Sequence, residues 1–190
     1  SFSGINFQTN ADYVVEVTGS SATDLFFASC NFNGLNNSLF HYTSSVSGKL
    51  YFFDCTGNLD TSGIAYFTNT NGDTRVYGGS FLNDGGSVSA STVSGGSIRL
   101  RNCEFNNPLT ISSAAALFEQ DVLSQQLTNI TAITLSGTAT ATIDKSTIIT
   151  GSASSISIGT GCSATITQTT INSTNTNAIT GAGTISYSNL

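Results

Sequence analysis

SIRLRNCEFNN, residues 97–107, and DLFFASCNFNG, residues 24–34, follow one rule. In each, a short apolar and polar alternation leads into an Asn or Ser, then a Cys, one further residue and a Phe. Alternation with period two marks a strand that buries one face. Recurrence of the whole unit marks a chain built from repeats, which has to be read before any local feature.

Anchoring on Phe32 and Phe105 recovers further copies, with anchors at Phe7, Gly57, Phe81, Ile130, Ile148, Ile171 and Leu190 and steps of 18 to 25 residues. Five residues before each anchor after the first stand Phe27, Phe52, Val76, Leu100, Gln125, Ile143, Ile166 and Ile185. Seven before stand Leu25, Leu50, Thr74, Ile98, Leu123, Ala141, Ala164 and Gly183. Both columns are mostly apolar and therefore face inward, with Gln125 as a misfit that points to a bulge or register shift. A second strand recurs in YVVEVT (13–18), SLFHYT (38–43), IAYFTN (64–69), SVSAS (87–91), ALFEQ (116–120) and SISIG (155–159).

Strands that recur once per coil with the same face inward pair in parallel. The expected fold is all-β: a right-handed parallel β-helix, or β-solenoid, of about eight rungs of 18–25 residues. At a strand spacing of about 4.8 Å the rod is roughly 40 Å long. Right-handedness follows from the variable rung length, since left-handed β-helices usually keep a strict six-residue pattern. Residues 1–190 read as one domain, with wide aromatic-rich rungs over 1–121 and narrower Ser, Thr, Ala and Ile rungs over 122–190. Within 106–122, which holds the single Pro and an Ala-rich run, an irregular rung with a short helical turn is expected. The repeat is already running at residue 3 and still running at residue 190. A solenoid covers its open sheet edges with caps, so the expectation is a piece of a longer protein.

Cys30, Cys55 and Cys103 each stand two residues before an anchor, with Gly79 in that place in the intervening rung. They form an inward column of small side chains and read as buried thiols. A Cys30 to Cys55 disulfide is the alternative, at the short end of disulfide geometry, and Cys162 lies in another column. No CxxC or His-rich spacing implies a metal, and no cofactor motif is present.

The chain is 8% charged, with a net charge of −6 and five Lys and Arg residues in all. Phosphate neutralisation needs basic clusters, so nucleic acid is not an expected partner. No apolar run approaches the roughly 20 residues of a membrane helix, so membrane insertion is not expected either. Ser, Thr and Asn supply 75 residues, which suits turns and outward strand positions.

The recurring apolar-x-Asn/Ser-Cys/Thr-x-Phe/Ile pattern resembles the right-handed parallel β-helix of the pectate-lyase-like superfamily. The low-charge segment INSTNTNAITGAGTISYSNL, residues 171–190, resembles viral and phage tail fibres and tailspikes. That resemblance implies a structural and receptor-binding module of a virion-surface or extracellular fibre. It implies homotrimeric assembly, contacts with other virion proteins, and attachment to host surface glycans. A bacterial surface adhesin is the alternative. A glycan-cleaving tailspike is a third reading, but the Asn-Thr-Asp, Asp-Asp, Gly-His-Gly and Arg-Ile-Lys motifs of the superfamily's enzymes are missing. Glu16, Asp54, Glu104 and Glu119 fall in different columns or non-adjacent rungs, with Asp54 and Glu104 the one pair a groove brings near. No catalytic residue is assigned. Glu16, His41 and Tyr66, spaced by 25, read as an outward polar ladder rather than acid and base machinery.

Positions four and six residues before the anchors face outward when those at five and seven face inward. They place Phe26, Tyr51, Phe53 and Tyr77 beside Arg75, Arg99 and Arg101, the only Arg residues of the chain. Such a patch on a surface of Ser and Thr marks a contact site. Two occupants fit: a neighbouring subunit, or an acidic polysaccharide whose ring faces meet the aromatics and whose carboxylates meet the guanidinium forks.

Overall fold

The computed structural model describes residues 1–9, 13–34, 40–59, 65–83, 89–125 and 130–188. Among them there is no helix, and every strand pairs in parallel with the strand one turn before or after it. The chain winds as a β-solenoid of about seven turns. The anchor at Leu190 and the opening residues of segments 38–43, 64–69 and 87–91 lie outside the described residues.

Each turn lays down three strands. The front face carries Leu25–Ala28, Ser97–Arg101, Ala115–Glu119, Thr140–Asp144, Ser163–Thr167 and Thr184–Ser188. The flank carries Asn6–Thr9, Asn31–Gly34, Glu104–Phe105, Val122–Gln125, Thr147–Thr150 and Thr170–Ser173. Two long strands, Lys49–Leu59 and Asp73–Asn83, run round the corner from front to flank and join these faces into one 15-stranded sheet. The back is a separate eight-stranded sheet from Val15–Val17 to Ile179–Gly181.

Burial follows the alternation. Ile98 and Leu100 are buried and Arg99 between them faces out, and Ala141 and Ile143 repeat this around Thr142. Because successive turns are in register, like side chains meet like. Phe27 stacks on Phe52 at 5.2 Å between ring centroids and Phe7 on Phe32 at 5.0 Å, both within 8° of parallel. On the back, Phe40 stacks on Phe67 at 5.7 Å and 21°, and Phe67 also stacks across the core on Phe105 of the flank at 5.8 Å and 9°. Each aromatic pair adds about 0.5–1.5 kcal/mol beyond the apolar area it buries.

The corner from front to flank is made at one register position by residues in the left-handed region: Gly4, Ser29, Asp54, Gly78, Asn102, Gln120, Lys145 and Gln168, with φ from 46° to 70°. Eight successive corners among the described residues bend at this position, which keeps the columns on both sides aligned. The next position points inward. It holds Cys30, Cys55 and Cys103, all buried free thiols, as expected. Gly79 belongs in this column because its φ is +86° and an added Cβ would lie 1.9 Å from the Cys55 carbonyl oxygen. Asp121 follows in the same column, only 1% exposed. Its Oδ1 accepts the Cys103 N–H at 3.0 Å and the Cys103 thiol at 3.3 Å, and its Oδ2 accepts the Glu119 N–H at 3.0 Å. Ser146 takes the place one turn later, donating its hydroxyl to the Asp144 carbonyl at 2.9 Å.

Three expectations need correction. The 18-residue step does not lead from Ile130 to Ile148. Phe105 pairs with Leu123 and Leu123 with Ile148, so Leu123 is the anchor and Ile130 lies outside the strands. Gln125 therefore belongs to the flank, and Phe118 fills the place expected for it, above Leu100 and below Ile143. The cause is the short corner after Phe105, where residues 106–108 lead directly to the back-face strand Leu109–Ser112 and Asn107 holds the bend. Its amide bridges backward, accepting the Ser91 N–H at 3.0 Å and donating to the Ser89 carbonyl at 3.0 Å. As a consequence, residues 106–121 hold two strands, Leu109–Ser112 on the back and Ala115–Glu119 on the front, so ALFEQ does not continue the second strand set as expected, and there is no helical turn.

The second correction concerns Tyr66. It is fully buried, and the back-face column reads Glu16, His41, Thr68, Thr92. Gly57 explains the difference. A Cβ there would come within 2.8 Å of the Tyr66 ring and 2.9 Å of Phe81, so the missing side chain makes room for the tyrosine, whose hydroxyl donates to the Leu82 carbonyl. The third concerns the last turn, where Ile166 pairs with Tyr187 and Ala164 with Ile185, two residues away from the expected register.

Two outcomes follow. Gly79→Ala forces the chain away from Cys55 and lowers the melting temperature, at a cost of about 1–3 kcal/mol in strain. An unchanged melting temperature would contradict the corner geometry. Burial, working against the three hydrogen bonds, raises the Asp121 carboxyl to about 7. An acid raised on folding contributes stability that is full below its unfolded pKa near 3.8 and is lost as pH rises through 7, on the order of 2–4 kcal/mol. Asp121→Ser, which copies Ser146, should remove that fall in melting temperature between pH 5 and 8. Parallel curves for the two proteins would show that Asp121 does not carry it.

Candidate functional site

The seven residues singled out from the sequence all lie on the front face. Backbone pairing sets two outward columns, Phe26, Tyr51, Arg75, Arg99, Leu117 and Ala28, Phe53, Tyr77, Arg101, Glu119. Phe53 and Arg101 are exposed and the others half-buried. Phe53, at 39% exposure, is among the few large apolar side chains that the rod leaves in solvent.

The rings are partly engaged with one another. Phe53 stacks on Tyr77 at 5.4 Å and 21°, and Phe26 meets Tyr51 edge to face at 5.2 Å. The Arg75 guanidinium lies 4.8 Å from the Tyr51 ring centroid, a cation–π contact. A ligand therefore meets the outer edges and free faces of a preformed aromatic cluster, not a row of separate flat rings.

Sequence reasoning missed the residue that organises this cluster. Asp73 lies two residues before Arg75 on the same outward face, opposite Lys49 and Ser97. Its Oδ2 accepts Nε of Arg75 at 3.0 Å, Nη2 of Arg75 at 2.8 Å and the Tyr51 hydroxyl at 2.8 Å, while Oδ1 accepts the Ser97 hydroxyl at 2.7 Å. Partial burial alone would raise this carboxyl, but the hydrogen bonds from Arg75, Ser97 and Tyr51 outweigh it and hold it below its ordinary value. Burial, then the bond to Asp73, pushes the Tyr51 phenol up to about 12. The signal was available: Asp73-x-Arg75 puts both charges on one face of a strand.

Arg99 and Arg101 differ from Arg75. Among the described residues neither has a carboxylate within ion-pair distance, although Glu119 stands beside Arg101 in the ladder. Between Asp73 and Leu117 the face sinks into a depression of about 160 Å³. Arg75, Ser97, Arg99, Ala115 and Leu117 are among the residues that line it.

Elsewhere, His41 Nδ1 lies 3.6 Å from Glu16 Oε1, and the His41 ring packs 4.2 Å from that of Tyr13. This pair forms the outward polar contact expected, without Tyr66. Asp54 sits at the left-handed corner and Glu104 opens a flank strand two turns on, beside Ser80. Among the described residues no three His, Cys, Asp or Glu side chains gather as metal ligands would. No protein-family model, curated protein or solved structure matches the chain.

Asp73→Asn should remove the bridge between Tyr51 and Arg75 and destabilise the rod by about 1–2 kcal/mol at neutral pH. The sign follows from a carboxyl lowered on folding: its contribution is full above 3.8 and is lost as pH falls through the lower folded value. Melting curves of the two proteins should therefore converge below pH 3.8. An absorbance titration should also show one tyrosine ionising earlier in the variant. A Tyr51 that still titrates near 12 would rule out Asp73 as a contributor to its shift.

Proposed function

We propose that this solenoid is a binding and structural module of an extracellular attachment fibre, and that its front face holds an acidic surface glycan. One observation carries the reading: Arg99 and Arg101 project side by side from one strand, without carboxylate partners among the described residues, next to an aromatic cluster. Planar guanidinium groups match carboxylates in a two-point geometry, and aromatic edges and faces suit the apolar side of a sugar ring.

The competing occupant is a neighbouring subunit. Enclosing two guanidinium groups without partners against a hydroxyl-coated rod would cost several kcal/mol per ion. An anionic ligand supplies the missing charge and leaves the rim in water. Binding without chemistry is favoured on this face because Asp73, held ionised by its three partners, is a poor proton donor. The virion tail-fibre setting, the homotrimer and the contacts with other fibre proteins belong to the same proposal. They are supported by the resemblance in sequence pattern and by a rod surface with few ions to desolvate on lateral packing.

Changing Arg99 and Arg101 together to Ala should weaken binding to an acidic polysaccharide by at least about tenfold, since a hydrogen bond to a charged group is worth about 1.5–3 kcal/mol. Melting temperature and light-scattering mass should stay as in the wild type. Equal binding by both proteins would remove the glycan role, and a drop in mass would assign the face to subunit contact.

A further inference from the structure

In the inward corner column two cysteines stand on neighbouring turns. Cys30 and Cys55 are held in register by the bonds on either side of them, Ser29 N–H to the Phe53 carbonyl and Thr56 N–H to the Cys30 carbonyl, both at 2.9 Å. Equivalent atoms on two such turns are about 4.8 Å apart. The sulfurs keep that spacing because both side chains take the same direction. Each thiol donates to the carbonyl two residues before it, Cys30 to Ala28 and Cys55 to Phe53, at 3.4 Å in both cases. Both are buried in the apolar core. Cys103 does not join them, because Gly79 occupies the turn between.

The spacing decides what the pair can hold. A disulfide needs its sulfurs about 2 Å apart, so forming one would pull both thiols off their carbonyls. A metal–thiolate bond is about 2.3 Å long, so two of them in line span about 4.6 Å and fit without that movement. Zinc asks for four ligands in a tetrahedron. Among the described residues no third His, Cys, Asp or Glu side chain gathers with these two as a ligand. Two thiolates in line suit a soft ion of low coordination number, and among common metals soft sulfur ligands select Cu(I).

Two thiolates around a monovalent ion leave one negative charge in the interior, which needs hydrogen-bond donors. The column supplies them, because its backbone N–H groups point at the side chain one turn on. Cys103 N–H donates to Asp121 Oδ1 at 3.0 Å, Asp121 N–H to Ser146 Oγ at 3.2 Å and Ser146 N–H to Thr169 Oγ1 at 3.4 Å. Burial raises the Cys55 thiol, and the Cys30 backbone is the largest influence against that rise.

We propose that Cys30 and Cys55 bind one Cu(I) ion in line between them, as a clasp joining two turns of the rod. Two S–H bonds break and two S–Cu bonds form, both protons leave to the solvent, and no electron is transferred. A separation of 25 residues matches no metal motif in sequence, since it is the winding of the chain that brings the sulfurs together. The site is independent of what the front face binds.

The test incubates the protein with Cu(I) without oxygen just below its melting temperature, where turns part transiently and expose the sulfurs. A competing chelator then removes loose metal. Wild-type protein should retain one Cu(I) per chain, with two sulfur neighbours in its X-ray absorption spectrum. It should melt about 5 °C or more higher at a free Cu(I) concentration about a hundred times Kd. Zn(II) should give neither effect. Cys30→Ser and Cys55→Ser should each lose the metal and the rise in melting temperature. Both should fold, because Ser146 shows that this column accepts serine. Cys103→Ser and Cys162→Ser should keep the metal. Retention by both Cys30→Ser and Cys55→Ser, or loss from a folded Cys103→Ser protein, would overturn the site, as would a wild-type protein that holds no Cu(I). Equal retention of Zn(II) would overturn the two-coordinate geometry. A Cys30 to Cys55 disulfide formed in the folded protein by oxidised glutathione would overturn the spacing on which the clasp rests.

Discussion

Every side chain in this rod has to tolerate its counterpart one turn away, about 4.8 Å above or below. In-register parallel pairing imposes that condition, and most of the structure is a response to it. Aromatic residues satisfy it by stacking, as Phe27 does on Phe52. Hydroxyl residues satisfy it on the back face, where Thr68, Thr92, Thr110 and Thr134 follow one another outward. Small residues satisfy it at the corner, where Cys30 and Cys55 give way to Gly79. Charges satisfy it least easily, because like charges stacked at that spacing repel. Lys49 above Asp73 is a favourable succession, whereas Arg75 above Arg99 is not. Asp73 neutralises the first of those arginines, and the second has no carboxylate partner among the described residues.

The same condition explains how far the fold could be read from sequence. Inward columns were legible wherever identical or similar residues recur at a constant step, which holds from Phe7 to Phe105. Legibility failed after Phe105 because the chain shortens a corner without any change in the alternating pattern on either side. The Asn107 amide holds that corner through Ser89 and Ser91, and nothing in the residue type announces that. Tyr66 was misplaced for a related reason. A spacing of 25 put it above His41, while the space that draws it inward is created by a glycine in another column, Gly57. Such compensation between columns is a matter of volume in three dimensions, which a one-dimensional period does not contain.

The front face was legible in the same uneven way. Its two outward columns follow from alternation alone, so Phe26, Tyr51, Phe53, Arg75, Tyr77, Arg99 and Arg101 stand where the pattern puts them. What alternation cannot supply is which cation is already satisfied. Three arginines that look equivalent in sequence divide into one held by a carboxylate and an aromatic ring and two without a carboxylate partner among the described residues. The depression was equally invisible, since its lining is assembled from three neighbouring turns, with Asp73, Arg99 and Leu117 each from a different one.

Pairing along the rod also decides how the molecule responds to being pulled. The polypeptide runs across the long axis, so no covalent path carries axial tension directly. The load passes from turn to turn through backbone hydrogen bonds such as those joining Ser97–Arg101 to Ala115–Glu119, which point along the pull. Gripped by its two chain ends, the rod should yield by peeling, one turn at a time, because only the outermost ladder is stressed. Held instead through its front face, it spreads the same force over several ladders at once and has to shear them together. A rod of this build is therefore mechanically stronger when loaded across its side than when loaded at its end.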